Sequence, residues 1–249
     1  MKDIIDILPK AINENYLCKT EEDKLERARS IIETLIDQDI ENKKILDFGC
    51  GEGHLTKVSK EYNVNFILGY DINIFSNEKG LTNSFEKILL NAPYDIIILN
   101  DVLDHLINET PIEVLNKIFK ILSFNGKVYL RCHPFTSRHA THLYYDLNKA
   151  FIHILFSEEE IKKYLKKDIK IEKNIGIIRP LHEYRKLFEN SGFIIENHRE
   201  IREPIEEIFY QENISNKIKN NLNLTEFPKF QMEIEFIDYI LSKPKFIKL

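Results

Sequence analysis

The sequence has little cysteine, and it lacks the long apolar runs and the N-terminal pattern that direct a chain into or across a membrane. Its three cysteines, Cys18, Cys50 and Cys132, show no CxxC spacing, which argues against a disulfide or zinc framework and for reduced thiols. No apolar stretch approaches the roughly 18–20 residues that span a bilayer, and the first residues do not resemble a signal peptide. We therefore expect a cytoplasmic protein without a membrane partner.

Glycine is also scarce, with eight in 249 residues, yet three fall at alternate positions of the stretch Ile45–Leu55. Two apolar residues lead into an acid, the glycines follow, and a helical pattern begins after them. Glycines in this order indicate a strand, a tight turn that passes close to a ligand, and a helix. A second apolar run ends in Asp71, twenty residues after Gly51. A carboxylate at the tip of a second parallel strand is placed to accept both hydroxyls of a ribose.

These features together resemble the class I S-adenosylmethionine (SAM)-dependent methyltransferases. Asp47 and the glycines match that family's first motif, and Asp71 matches its ribose-binding acid. The resemblance implies a methyltransferase enzyme with SAM as cofactor and S-adenosylhomocysteine as product. It also implies contacts to the cofactor from Asp47, Gly49, Cys50, Gly51, Gly53, His54, Asp71, Ile72, Asn83, Ser84, Asn100 and Asp101.

Strand-like and helix-like patterns alternate along the chain, which predicts an α/β, doubly wound, mostly parallel sheet of seven strands. We expect a single methyltransferase domain over residues 1–249. Its parts are an N-terminal helical lid (1–42), a SAM-binding half (43–133), a helical substrate-cap insert after strand five (134–175), and a C-terminal half with strands six and seven (176–249). Within the insert, the spacing predicts one helix over 138–155.

Further along, Pro204 is expected to open a helix that reaches residue 222, and the alternation over Met232–Phe236 predicts the final strand. The run Tyr94–Asp101 predicts a strand buried on both faces, and a turn is expected at Asn125–Gly126 before strand five. Expected helix caps are Thr20, Ser84 and Ser157.

The net charge of −5 is unevenly distributed. Residues 131–186 hold twelve Lys and Arg against seven Asp and Glu, together with five histidines. A basic region on an acidic protein favours a local anionic ligand over a general nucleic-acid surface. The lysines at 162–167 are better explained as the solvated face of a helix.

Candidate catalytic groups follow strands four and five. Asp101 and His105 are four residues apart, which on a helix would let both face the pocket. The [DN]PP[YF] and Pro-Cys motifs of nucleobase methyltransferases are missing at their expected places. Arg131 and His133 end strand five, so we expect Arg131 to contact substrate and His133 to be the general base or a substrate anchor.

The predicted insert helix carries a polar stripe beside an apolar one. At spacings of three and four residues, the stripe would align His139, His142, Asp146, Lys149 and His153. Substrate contact is expected from Arg138, His139, Asp146 and Lys149, and His142 is a further candidate base beside Asp146. A metal site is less favoured because no HxxxH pair occurs, and the stripe is otherwise explained as an exposed helix flank.

The sequence thus predicts methyl transfer to O or N of a small anionic substrate, with His133, His105 or His142 as base and no metal. One alternative is a nucleic-acid methyltransferase that uses the same basic region. Another is a non-catalytic SAM-binding subunit or regulator. Substrate identity and oligomeric state are left open.

Overall fold

The computed structural model describes residues 1–13, 17–37, 39–74, 79–106, 109–141, 143–167 and 180–245. Seven strands form one sheet in the order β3-β2-β1-β4-β5-β7-β6. They are β1 Lys44–Phe48, β2 Phe66–Tyr70, β3 Leu81–Thr82, β4 Tyr94–Asn100, β5 Leu122–Cys132, β6 Ile194–Arg202 and β7 Ile234–Ser242. The pairs β1–β2, β1–β4, β2–β3 and β4–β5 are parallel. The predicted fold class, α/β with a mostly parallel sheet, is confirmed.

Ten α-helices lie among the described residues. They are α1 Lys2–Ile7, α2 Glu21–Leu35, α3 His54–Ser59, α4 Phe85–Leu90, α5 Pro111–Ile121, α6 Ile152–Leu155, α7 Glu158–Leu165, α8 Leu181–Asn190, α9 Glu212–Asn221 and α10 Lys229–Met232. Short 3-10 helices cover Lys60–Tyr62, Leu143–Tyr145 and Glu207–Tyr210. None of the helices in the described ranges is both long and apolar enough to cross a membrane.

Side-chain caps fix several of these helices where the sequence predicts them. Thr20 and Asp23 form a capping box at the start of α2, and Ser157 forms another with Glu160 at the start of α7. Ser84 accepts a hydrogen bond from a backbone N–H in the first turn of α4. Each cap satisfies an N–H group that the helix itself leaves without a partner.

The predicted insert helix over 138–155 is wrong. The segment forms turns, the 3-10 helix Leu143–Tyr145 and the single helical turn α6. The Ala150 N–H donates to the Pro9 carbonyl at 3.0 Å, and the Asn148 side chain accepts from the Ile12 N–H and donates to the Ile12 carbonyl, both at 3.0 Å. Phe151 has a left-handed backbone (φ 56°), which interrupts a right-handed helix. Contacts with distant residues therefore replace the local helical bonds that the periodicity predicts.

Two smaller predictions also differ from the structure. The helix expected from Pro204 to residue 222 is divided into the 3-10 helix Glu207–Tyr210 and α9, because Gln211 is extended between them (ψ 134°). β5 begins at Leu122, before the turn predicted at Asn125–Gly126, and its register with β4 shifts between Tyr94 and Ile96.

The chain divides into two compact units. Unit 1 comprises Met1–Leu17, His133–Leu181 and Glu200–Ile237, and unit 2 comprises Cys18–Cys132, His182–Arg199 and Asp238–Leu249. In unit 2, apolar residues of α2, β1, β2 and β4 form one core cluster. In unit 1, Phe151 and Phe209 meet edge to face at 4.9 Å within a second cluster. The single domain of residues 1–249 and its four parts stay a prediction.

Candidate functional site

The glycine turn connects β1 to α3 in unit 2, and all three of its glycines have positive φ angles. A Cβ atom at Gly49 would lie 2.5 Å from a methyl group of Val102, and one at Gly53 would lie 2.9 Å from Leu81. A Cβ at Gly51 would meet no atom within 4 Å. The outer two glycines are therefore required by packing, whereas Gly51 presents its backbone to open space.

Asp71 follows β2 directly and faces this turn. Its Oδ2 accepts a hydrogen bond of 3.1 Å from the Gly51 N–H, and its Oδ1 accepts one of 2.9 Å from the Asn73 N–H. The backbone N–H groups of Gly49 and Cys50 donate to the Tyr70 carbonyl at the end of β2. The structure thus brings together the two motif residues that lie twenty positions apart in the sequence.

Asp47 lies beneath the turn and is 3 % exposed. Its carboxylate accepts a hydrogen bond of 2.7 Å from the hydroxyl of Thr56, which belongs to α3. Burial raises the pKa of Asp47 to about 6, and the nearby charge of Asp71 adds to the rise. Burial likewise raises the pKa of the Cys50 thiol. Asp47 therefore positions the start of α3 relative to the turn.

A cavity of about 190 Å³ opens beside the turn within unit 2. Its wall comes from the ends of β1 and β2, from the segment after β4 and from the first turn of α5. Four of the predicted cofactor residues line it, namely Gly49, Asp71, Ile72 and Asp101. This arrangement, at the carboxyl ends of parallel strands, is where α/β sheets bind ligands.

Among the predicted cofactor residues that do not line this cavity, two have other contacts and a third is exposed. The His54 Nε2 lies 3.0 Å from a carboxylate oxygen of Glu21. Ser84 caps α4 by accepting from the Lys87 N–H, and Asn83 is exposed. A contact of these three with the cofactor stays a prediction.

Asn100 and Asp101 end β4. The Asn100 side-chain amide donates to Asp101 Oδ2 at 3.2 Å, and the Asp101 N–H donates to the Arg131 carbonyl at 2.9 Å. Asp101 has a left-handed backbone (φ 53°), which is uncommon for a residue with a side chain and marks functional sites more often than others. Its carboxylate lies 3.8 Å from the Arg27 guanidinium.

His105 lines the cavity together with Asp101, although they are joined by turns and not by the expected helix. Asp104, beside it, is fully buried, and neither of its carboxylate oxygens has a hydrogen-bond partner among the described residues. Burial and the Asp101 charge raise the pKa of Asp104, whereas burial lowers the pKa of His105. Burial thus favours the protonated, neutral carboxyl of Asp104 and the neutral imidazole of His105. Asp104 is not among the predicted site residues, although it lies in the same Asn100–His105 run.

Arg131, a predicted substrate contact, makes a two-point ion pair in unit 2. Its Nε and one terminal nitrogen donate to the two carboxylate oxygens of Asp238 at 2.7 and 2.8 Å. Arg199 reaches the same carboxylate at 2.6 Å. The charge of Arg131 is thus already balanced by a buried partner.

In unit 1, His133 and His139 lie against one buried glutamate. The His133 Nδ1 is 3.1 Å from the Glu235 carbonyl oxygen, and the His139 Nδ1 is 2.9 Å from Glu235 Oε2. The two imidazole rings meet edge to face at 4.7 Å, and Phe236 contacts both. Arg138 pairs with Glu206 at 2.6 Å. Glu235 is a missed residue, because the alternating pattern around it predicts a strand and gives no sign of a site.

The remaining stripe residues are dispersed. Asp146 pairs with Lys167 at 2.5 Å, and the Lys149 ammonium donates to the Leu8 carbonyl at 2.7 Å. His153 is bound by the Phe135 carbonyl at 2.9 Å, and burial lowers its pKa to about 4. His142 lies outside the described residues. The prediction that these residues share one helical stripe is therefore wrong, because the helix over 138–155 does not form.

The fold and the turn with its facing acid define an α/β protein of the methyltransferase type. A methyltransferase domain family matches residues 20–168, which is more than half of the chain, and the chain belongs to that family. The predictions of a class I SAM-dependent methyltransferase, of an enzyme and of SAM as its cofactor are confirmed. No match to the chain is found among curated proteins.

Two solved structures are similar to this chain. A SAM-dependent methyltransferase from Archaeoglobus fulgidus is 18 % identical, and the match covers 93 % of this chain and all of that one with a TM-score of 0.53. An S-adenosylmethionine-dependent methyltransferase from Mesorhizobium loti is 13 % identical over 88 % of this chain and 96 % of that one, at a TM-score of 0.49. At 18 % identity, the similarity to the Archaeoglobus fulgidus structure shows a shared fold and nothing further.

Proposed function

We propose that the chain methylates an oxygen or nitrogen atom of a small molecule, with SAM held in the unit 2 cavity. The observation that supports this proposal most directly is the hydrogen bond from the Gly51 N–H to Asp71, in a turn where the Gly51 backbone is open to a ligand. It brings the glycine turn and the Asp71 carboxylate to one place, which supports nucleotide recognition there.

The residues present fit the ribose and adenine end of SAM. A carboxylate has about four lone-pair sites, and the two bonds that Asp71 accepts leave room for two ribose hydroxyls. Ile72, which lines the cavity and is 44 % exposed, offers apolar cover for a planar ring. Asp101 lies at the end of β4 and would receive the positively charged amino group of the methionine part.

SAM supplies an electrophilic methyl group whose carbon–sulfur bond breaks, with its electron pair left on sulfur, as the acceptor's lone pair forms the new bond. The chain has to orient the acceptor, exclude water and remove a proton when the acceptor arrives protonated. His105 suits the last task, because it lines the cavity and its lowered pKa keeps the imidazole neutral. His133 remains a second candidate base, and His142 stays a prediction from the sequence.

The expected anionic group on the substrate gains no support from the contacts of the predicted cations. Arg131 and Arg138 pair with carboxylates, and Lys149 donates to a backbone carbonyl. A nucleic-acid substrate and a non-catalytic role stay the alternatives. Methyl-labelled SAM incubated with metabolite, RNA and protein fractions separates them by the fraction that takes up the label.

The cofactor site is tested by calorimetric titration of the whole chain with SAM and S-adenosylhomocysteine. Asp71→Asn keeps an acceptor for Gly51 but loses the charge, and we expect binding to weaken about 10- to 100-fold, as for loss of charged hydrogen bonds. The matched control is Asp39→Asn, an exposed aspartate outside the cavity, which should bind like the wild type. Equal binding by both variants would contradict the assignment.

A further inference from the structure

Unit 1 holds a cavity of about 640 Å³ that the proposed cofactor site does not use. Its wall is formed by residues 9–13, by Arg138 and His139, by the segment 201–206 and by the first residues of β7. The lining combines apolar residues, among them Ile201 and Phe236, with charged ones. An apolar cavity with a few convergent polar groups is the usual form of a small-molecule site.

Acidic groups outnumber basic ones along this wall. Three glutamates line the cavity, Glu203, Glu206 and Glu235, against two cations, Arg138 and the exposed Lys10. The Arg138 guanidinium is shared, since it lies 2.6 Å from Glu206, 3.6 Å from Glu203 and 4.0 Å from Glu235. Two cations face three carboxylates, so the wall favours an added positive charge when all three carboxyls are ionised.

Glu235 is the most buried of the three glutamates. It is 4 % exposed, and its nearest titratable neighbour is His139, whose Nδ1 lies 2.9 Å from Oε2. Burial raises the pKa of its carboxyl to about 8; Arg138 opposes the rise, and the charges of Glu203 and Glu206 add to it. A buried carboxyl with suppressed ionisation regains its charge when a cation binds beside it.

We propose that the unit 1 cavity binds a small amine, whose protonated nitrogen pairs with Glu235 and whose apolar part packs on Phe236 and Ile201. An ammonium group provides three donors for charge-assisted hydrogen bonds, and the ring of Phe236 adds a face that attracts cations. An acid of the same shape would meet three glutamates. This site goes beyond the proposed function and does not depend on it.

The test uses two probes of similar shape and opposite charge on the whole chain, namely 2-phenylethylamine and 3-phenylpropionate, followed by calorimetry at pH 8.5. The amine should bind and the acid should not. Glu235→Gln keeps the shape of the side chain and should weaken amine binding at least tenfold. Glu226→Gln, which replaces an exposed glutamate of the same unit, should leave it unchanged. Binding of the acid as tight as that of the amine, or no binding of the amine, would overturn the proposal.

The pH dependence of amine binding is a second, independent test of the proposal. Because the carboxyl must lose its proton to pair with an ammonium, affinity should rise about tenfold from pH 6 to pH 7 and level off above pH 8. Glu203, Glu206, Arg138, Lys10 and His139 also face the site, so the same series is run on Glu235→Gln. A slope that persists in that variant belongs to one of these groups and overturns the role of Glu235. If Glu235→Gln does not fold, Glu203→Gln should still weaken amine binding a few-fold, and an unchanged affinity there counts against the proposal.

Discussion

Asp47 gives a prediction about stability whose size follows from its surroundings. The carboxyl is fully buried, and its pKa rises from 3.8 to about 6 in the folded chain. Below pH 3.8 the carboxyl is protonated in both the folded and the unfolded state, so its titration does not change the free energy of unfolding. As the pH rises from 3.8 through 6, the unfolded state loses the proton first, so the free energy of unfolding falls. Above pH 6 the free energy of unfolding is lower by the full amount, about 3 kcal/mol, which corresponds to a pKa difference of about two between the folded and unfolded states.

Asp47→Asn removes this titration and keeps an oxygen that can accept from Thr56. Its advantage over the wild type should therefore be about 1.5 kcal/mol larger at pH 7.5 than at pH 5, where half of the cost has already been removed by protonation. Any fixed cost of burying the amide cancels from this difference. Only the dependence on pH carries the prediction.

Urea unfolding followed by circular dichroism at both pH values measures the effect. Glu86→Gln, an exposed acid in the first turn of α4, is the control and should show no dependence of this size. An Asp47→Asn advantage that is equal at pH 5 and pH 7.5 would refute the reasoning, since it would mean that Asp47 titrates normally in the folded chain.

Two further predictions concern packing around the site. Gly49→Ala should lower the free energy of unfolding by about 2 kcal/mol or more, because its Cβ would lie 2.5 Å from Val102 at a positive φ. Gly51→Ala should lower it by only about 1 kcal/mol and should also weaken SAM binding. Urea unfolding measures the stability of both variants, and calorimetry measures SAM binding. Equal stability of the two variants would contradict this. Arg131→Met should lower the free energy of unfolding by about 3 kcal/mol in urea, because it removes one of the two arginines that balance the buried Asp238. A decrease of less than about 0.5 kcal/mol, which is the scatter of surface substitutions, would show that Arg199 alone balances this charge.

The helix starts, the central strand and the glycine turn with its facing acid could be predicted because their sequence signals are local or regularly spaced. The capping residues Thr20 and Ser84 act within three positions of themselves, and the buried run of β4 needs no partner to be recognised. The glycine turn and Asp71 lie on consecutive strands, so the fold class alone brings them together. Local propensity, apolar pattern and topology all agree in this part of the chain.

The helix over 138–155 was predicted wrongly because the structure of this segment depends on contacts that periodicity does not contain. Asn148 bonds the backbone of Ile12, which is 136 positions away, and the Ala150 N–H donates to the Pro9 carbonyl at 3.0 Å. These bonds compete with helix formation and win, as an Asn side chain is well suited to do. The same distance hid Glu235, whose partners Arg138 and His139 lie almost a hundred positions earlier.

Three buried acids with raised pKa values connect stability to function in this chain. Asp47 lies under the glycine turn, Asp104 lies beside the cavity residue His105, and Glu235 is in the wall of the unit 1 cavity. Each buried carboxyl lowers the free energy of unfolding at neutral pH, and apolar residues of similar volume would serve the fold better. Because this cost falls at the proposed ligand sites, binding should raise the stability of the chain through these residues. SAM should act in this way on unit 2, and a small amine on unit 1.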